Sequence, residues 1–483
     1  MTSTPATVPA INPPHKRLVL CFDGTWGALT DPDELTNVVK LAGLVAAHDG
    51  AIPQIVYYNS GVGTGGPVDK LLGGAFGVGL KSNVKRGLAF LTLNYQDGDE
   101  IYLFGFSRGA YTARALAGLL GTAGLPRDIS TTEEHWLLYR QLAKLKEQAG
   151  WYPKGHPKRT PIDKDIDDRR KALAGSTRVP AGKVPIRCIG VWDTVGSYGI
   201  PAGYSFSSLG RHLISWTRGF RDTKIGDQVA LALHAVAVDE TRRPFEPTFW
   251  TRRVGRPAVA GQKVEQVWFA GVHANVGGGF KSAGLSDQAL AWMLSRVSEE
   301  TGLKFKEAEL ARQIRPCPGG MLYPAGWLPG WLEAQRTILP GAFPLVRSGL
   351  RRWWRRLHGA EEGVTIERLN EKLHWSVRHR LGWPEVLDSR AGRRRYAPAN
   401  LSAVVARLAE ADVTTPTALE LRLQAEPAPA ANPVVSLLDT PPGTDAATDA
   451  AASACPLVQQ GGECRCRKPP AVQSTGALPA VAA

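Results

Sequence analysis

Five times along the chain, a short run of Val, Ile, Leu and aromatic residues stops at a polar, glycine-bearing loop. The runs are Arg17 to Phe22, Ile55 to Tyr58, Glu100 to Phe104, Ile186 to Trp192 and Val264 to Phe269. The loops that follow them are Asp23-Gly24-Thr25-Trp26, Asn59 to Gly65, Gly105 to Gly109, Asp193-Thr194-Val195-Gly196 and Gly271 to Gly279. Strands covered on both faces read as near-continuous apolar runs, and such strands belong to parallel sheets whose crossovers are helices. The pattern therefore predicts an α/β fold, a mostly parallel sheet flanked by helices. In open sheets of this kind ligands bind beyond the carboxyl ends of the strands, so the five loops are predicted to line one crevice.

The remaining sequence divides around that frame. Residues 1–15 and 414–483 are rich in Ala, Pro and Thr and read as disordered ends. Residues 16–320 form the α/β domain, interrupted at about 125–184 by an insertion with a helix around His135 to Gln148 and a charged loop. Residues 321–413 form a basic, Trp/Arg-rich helical region. Hydrophobic residues at 43% and charged residues at 21% exclude wholesale disorder, and six cysteines in 483 residues exclude a disulfide-stapled scaffold. No stretch approaches the apolar length of a membrane span. Met1 to His15 lacks a basic head followed by an apolar run, so the expectation is cytoplasmic synthesis without a signal peptide.

Gly105-Phe106-Ser107-Arg108-Gly109 matches G-x-S-x-G, the turn that exposes a nucleophilic serine between a strand and a helix. The context fits, because Ile101 to Phe104 reads as a buried strand and Ala110 to Leu120 as a helix that Gly121 is placed to cap. A serine hydroxyl needs a base, and the base needs a carboxylate to hold its tautomer. Of ten histidines, His273 is the one at a strand end inside a glycine-rich loop. Its rival His234 lies in the Ala-rich stretch Val229 to Ala237, which reads as a core or helix setting. For the acid, Asp193 follows directly on a strand, whereas Asp239 ends that apparent helix and Asp287 opens another. The order Ser107, Asp193, His273 is that of the α/β-hydrolases. The oxyanion donors expected are the Arg108 N–H and one from Gly24 or Thr25, with Asp23 anchoring the latter loop.

Other chemistries fail on particular residues. Phe22-Asp23-Gly24-Thr25 suggests a haloacid-dehalogenase-type phosphatase, but the nucleophilic aspartate required two residues before Asp23 is Cys21. The glycines Gly61, Gly63, Gly65 and Gly66 lack both the dinucleotide spacing and the lysine of a phosphate loop. Asp163-x-Asp165-x-Asp167 begins like a calcium loop, yet its twelfth position is Ala174, so a solvated charge run is expected. Cys464-x-Cys466 has neither a second pair nor a nearby histidine. No metal and no organic cofactor is expected.

Taken together, these blocks resemble the bacterial α/β-hydrolases related to the catalytic domain of type VI secretion phospholipase effectors. The similarity runs from about Arg17 to Trp383. It passes through Phe22-Asp23-Gly24-Thr25-Trp26, Gly105 to Arg114, Val191-Trp192-Asp193-Thr194-Val195, His234 to Glu240 and Gly271-Val272-His273. The resemblance implies an esterase acting on phospholipid acyl chains, with Ser107 as nucleophile, Asp193 as acid and His273 as base. It also implies export by type VI secretion and a secretion-apparatus or immunity partner. One departure is Ala274-Asn275, where the family commonly has Ser-Asp.

Charge bears on the substrate. A net charge of +14 favours polyanions or an anionic membrane face. Leu350, Trp353, Trp354 and Leu357 share one helical face and Arg351, Arg352, Arg355 and Arg356 the other, the signature of a basic interfacial helix. From Arg347 to Arg395 there are 13 basic and six acidic residues, half the excess charge of the chain. No nucleic-acid platform accompanies this helix, so nucleic acid is not an expected partner. Two other readings stand beside a phospholipase: an esterase for soluble or polymeric esters, and a non-catalytic basic binding protein.

Overall fold

A computed structural model describes residues 15–24, 34–61, 74–149, 152, 155–195, 224–242, 245–253, 258–323, 366–381, 386–389, 392–398, 400–401, 404, 408 and 412–425. The sheet begins with β1 (Arg17–Phe22), buried along its whole length. Its side chains alternate as a strand requires. Leu18, Leu20 and Phe22 join the core under α2 (Gly74–Asn94) and α3 (Arg108–Ala123). Val19 and Cys21 join the core under α1 (Asn37–Leu44) and the helix Gly284–Thr301. Burying each large side chain contributes about 1.5–3 kcal/mol, so two apolar faces fix the strand register firmly.

Around β1 lie β2 (Gln54–Asn59) on one side and β3 (Glu100–Phe106) on the other. Beyond β3 follow β6 (Ile186–Trp192), β7 (Val229–Ala237), β9 (Lys263–Phe269) and β11 (Glu371–Leu373), giving the order β11-β9-β7-β6-β3-β1-β2. All neighbours in this seven-stranded sheet are parallel. Among the described residues there are also three two-stranded ladders: β4 (Leu125–Pro126) with β5 (Thr177–Val179), β8 (Thr251–Arg253) with β10 (Ile366–Arg368), and β12 (Val386–Asp388) with β13 (Gly392–Arg394). The fold is the expected α/β-hydrolase-like sheet flanked by helices. The chain leaves β1 toward β2 and returns past it to β3, so the direction of winding switches between β1 and β3, where such sheets hold ligands.

Four local expectations change. The Ala-rich stretch with His234 is strand β7 rather than a helix, because it is covered on both faces and needs no alternation. Helix α3 runs through Gly121, which abuts the Gln228 amide, and ends at Gly124 with φ 81°. The charged loop at Asp163 is the helix α5 (Thr160–Ala172), where Asp163 pairs with Arg159 and Asp165 with Arg169 one turn apart. It packs beside α4 (Thr132–Ala149). Finally, the 321–413 region supplies β11 to the main sheet. The helix Ala418–Ala425 then stands inside the segment expected to be disordered. That helix is fastened by Glu420, which accepts from Trp375 Nε1 at 3.0 Å and meets His374 Nε2 at 2.9 Å. Residues 1–14 and 426–483, including Cys455, Cys464 and Cys466, lie outside the described residues.

Candidate active site

Ser107 closes β3 and precedes α3 with φ 57° and ψ −118°, a backbone region that non-glycine residues enter only when the surroundings enforce it. The two flanking glycines show what enforces it. A Cβ on Gly105 would sit 2.5 Å from the carbonyl carbon of Gly109, and one on Gly109 would collide with the Phe22 carbonyl. The first turn of α3 thus lies directly on the ends of β1 and β3, and only glycine allows that approach. Ser107 N–H donates to the Trp192 carbonyl at 3.0 Å, tying the serine to the strand end that delivers Asp193. Arg108 is the first residue of α3, where N–H groups lie beyond the reach of the helical ladder. Burial pushes its guanidinium down to about 10.

Asp193 is fully buried, with φ 37°. Its Oδ2 lies 2.6 Å from His273 Nδ1, and its Oδ1 accepts from the Ala237 N–H at 3.1 Å. Burial raises the Asp193 carboxyl above its ordinary range, and the histidine and main-chain donors offset that only in part. His273 opens the short helix His273–Gly277, with its ring between Phe106 and Phe245 at centroid distances of 4.6 and 4.7 Å. A Cβ on Gly277 would overlap the Phe106 ring, so the helix packs directly over the residue before the nucleophile. The structure brings Ser107, Asp193 and His273 to the carboxyl ends of β3, β6 and β9. The substituted Asn275 braces the loop, its Oδ1 accepting from Tyr323 N–H at 3.2 Å and its Nδ2 donating to Met321 O at the same distance.

The rival residues have other employment. Asp287 pairs with Lys40 at 2.7 Å and accepts from the Arg315 N–H, while Asp239 accepts from the Gly271 N–H at 2.6 Å. His234 is fully buried; its Nε2 accepts the Thr194 N–H at 3.1 Å, which places its proton on Nδ1 toward Gln266 Oε1. It therefore holds the turn after Asp193 as a neutral ring. Burial, reinforced by the charge of Arg114, pushes it down to about 3. The unfolded chain binds this proton below about pH 6.5, so stability is complete above that pH and declines as pH falls toward 3. Urea melts should show wild type losing about 2 kcal/mol more than His234→Gln between pH 6.5 and 5. Parallel pH curves for the two proteins would contradict this.

At the end of β1, Asp23 is buried and accepts from the Gly24 N–H at 2.7 Å, Thr36 Oγ1 at 2.6 Å and Tyr58 OH at 2.8 Å. Burial still leaves its carboxyl raised. This arrangement anchors the loop but corrects one expectation. The Gly24 N–H is committed to Asp23 rather than to a reacting oxyanion, and Gly24 instead provides room, since a Cβ there would lie 3.5 Å from Ser107 Cβ. Thr25 lies outside the described residues, as do Trp353, Trp354, Arg351, Arg352, Arg355 and Arg356. No cluster of metal-ligating side chains and no helix long and apolar enough to cross a membrane occurs among the described residues.

A family model described as the catalytic domain of Tle1-like phospholipase effectors of the type VI secretion system matches residues 16–296, a span that includes the elbow, Asp193 and His273. The chain belongs to this family. Among the proteins this chain is similar to, the uncharacterized protein YEL023C of Saccharomyces cerevisiae is 28% identical over 255 residues, covering 49% of this chain and 33% of that protein. An uncharacterized protein from Pseudomonas aeruginosa of known structure has a TM-score of 0.36 and 18% identity over 72% of this chain and 51% of its own. The structure of the Tle1 effector bound to the VgrG spike has a TM-score of 0.28 and 15% identity, over 55% of this chain and 51% of its own. The chain thus spans a third of the yeast relative and about half of each solved chain.

Proposed function

We propose that this Tle1-like chain is a serine esterase that hydrolyses acyl esters of phospholipids through an acyl-enzyme. The observation that carries the reading is the buried 2.6 Å contact between His273 Nδ1 and Asp193 Oδ2, one strand end away from a serine held at φ 57°. An ionised Asp193 accepts from Nδ1–H and leaves Nε2 as the base. The base takes the Ser107 proton as Oγ attacks the acyl carbonyl, and then returns it to the leaving alcohol. Water, activated by the same nitrogen, releases the fatty acid. The Arg108 N–H is one oxyanion donor, and the loop after Gly24, at Thr25, is the position for the second. None of these steps calls on a metal or organic cofactor.

Phospholipid as the substrate rests on family membership and on the basic charge of the chain. Membership also supports export to a target cell and a secretion-apparatus partner. Trp353 and Trp354, with Arg351, Arg352, Arg355 and Arg356, are proposed as the membrane-surface element, each basic residue near an anionic surface contributing about 1 kcal/mol. Fatty-acid release from anionic phospholipid vesicles, beside hydrolysis of a short nitrophenyl ester, tests the substrate. The double substitution Trp353→Ala and Trp354→Ala is expected to lower vesicle hydrolysis at least ~10-fold and to leave the short ester within about twofold. Equal loss on both substrates would remove the membrane role. Activity confined to the short ester would replace phospholipid by a soluble substrate.

A further inference from the structure

The Asp239-Glu240 pair follows β7, beside the loop that delivers His273, and no step above uses it. The two segments are laced together. Asp239 Oδ2 accepts from Gly271 N–H at 2.6 Å, and Asp239 N–H donates to Gly271 O at 3.1 Å. Two residues along the loop, Glu240 Oε2 accepts from the His273 N–H at 3.2 Å. Glu240 is only 1% exposed, and Arg242 grips it with its main-chain N–H and Nε on Oε1, both at 2.9 Å, and Nη2 on Oε2 at 2.8 Å. Burial pushes this carboxyl up, but the Arg242 hydrogen bonds and charge, with His273 adding to them, hold it below the ordinary range. It is an ionised group in a dry place, with its second oxygen on the main chain of the base.

A second layer reaches the pair from beyond residue 296, where the family model ends. Asn400 Nδ2 donates to Glu240 O at 2.7 Å and to Val238 O at 3.2 Å, and Tyr396 OH donates to Asp239 Oδ2 at 2.8 Å. Asn400 and Asp239 are thus joined through the same turn that carries Glu240. A hydrogen bond to a side chain can be replaced by water at the surface, but at full burial its loss leaves an unpaired polar group and frees the segment it held.

We infer that Glu240 is a positioning residue for the base, fixing the His273 main chain through its buried carboxylate, and that Asn400 seats Glu240 from the C-terminal segment. This rests on His273 being the base. An imidazole displaced by a fraction of an ångström still binds substrate but transfers the proton slowly, so the signature is a loss of kcat at constant KM.

The full chain and its variants are assayed on a short nitrophenyl ester. Glu240→Leu removes every acceptor for the His273 N–H and is expected to lower kcat about 100-fold with KM within about twofold. Glu240→Gln retains an oxygen acceptor and should recover about 10-fold of that loss. Asn400→Ala leaves the carboxylate, Arg242 and His273 in place and should lower kcat about 10-fold at constant KM, which serves if Glu240→Leu does not fold. A folded Glu240→Leu or Asn400→Ala with wild-type kcat, or a loss in Glu240→Gln as deep as that in Glu240→Leu, overturns the positioning role. His273→Ala made alongside separates the two claims. If it retains wild-type kcat, the base assignment falls and this role with it; if it is inactive while the Glu240 and Asn400 variants match wild type, the positioning role alone falls.

Discussion

Ser107→Ala is expected to abolish ester hydrolysis, lowering kcat by at least ~10⁴-fold, because the proposed acyl-enzyme forms on this hydroxyl and alanine has none. The substitution should be mild for the fold. Alanine suffers the same backbone strain as serine at φ 57°, and the Ser107 main-chain bonds to Trp192 and Tyr111 are unaffected. Thermal melting within a few degrees of wild type, beside lost activity on both vesicles and short esters, is the expected pair of results. Residual activity near wild type would move the chemistry away from the elbow.

Asp193→Asn is the second large effect. Asparagine has the shape of aspartate and is tolerated in the left-handed region that Asp193 occupies at φ 37°. Its amide nevertheless cannot match an ionised carboxylate. The charge that stabilises the imidazolium is gone, and an NH₂ placed toward His273 selects the tautomer with its proton on the wrong nitrogen. A kcat loss of about 10⁴-fold follows. Stability should move the other way. A carboxyl raised by burial binds its proton more firmly folded than unfolded. Ionised Asp193 therefore costs stability at neutral pH, and a neutral side chain removes that cost. Activity lost with an equal or higher melting temperature is the expected outcome; unfolding in step with the activity loss would make Asp193 a structural residue.

What could be read from residue order was local. β1, β3 and β6 announce themselves because burial on both faces writes four or more consecutive apolar residues, Gly190 included, and β9 carries a shorter run, Val267 to Phe269. The elbow is legible because its two glycines answer to collisions only a few residues away or one strand over. The order Ser107, Asp193, His273 then follows from strand ends. β7 is harder, since Ala and Leu serve a buried helix as well as a covered strand, and only its neighbours β6 and β9 decide between them. The three-residue β11 carries no period at all; it is a strand because Lys372 finds Val267 across a gap in sequence that no local pattern spans.

Within the site, the illegible part is the layer around the three residues proposed as the triad. His234 reads as a bland core histidine, and its contact with the Thr194 N–H becomes visible only once β7 lies beside β6. Glu240 and Asn400 are 160 residues apart and meet through a main-chain carbonyl, which leaves no mark on residue type. The Gly24 N–H misled for a related reason. A glycine at a strand end permits close approach, and here the approach serves Ser107 while the N–H turns back to its own neighbour Asp23.

The central claim is that Ser107 is the nucleophile activated by His273. It is tested most directly by reacting the full chain with a fluorophosphonate that mimics the tetrahedral intermediate, then mapping the adduct by mass spectrometry. One adduct per chain, on Ser107, forming in step with loss of ester hydrolysis and slowed by at least ~10²-fold in His273→Ala, is the result expected. An adduct on another residue, or full inhibition with Ser107 unmodified, would contradict it.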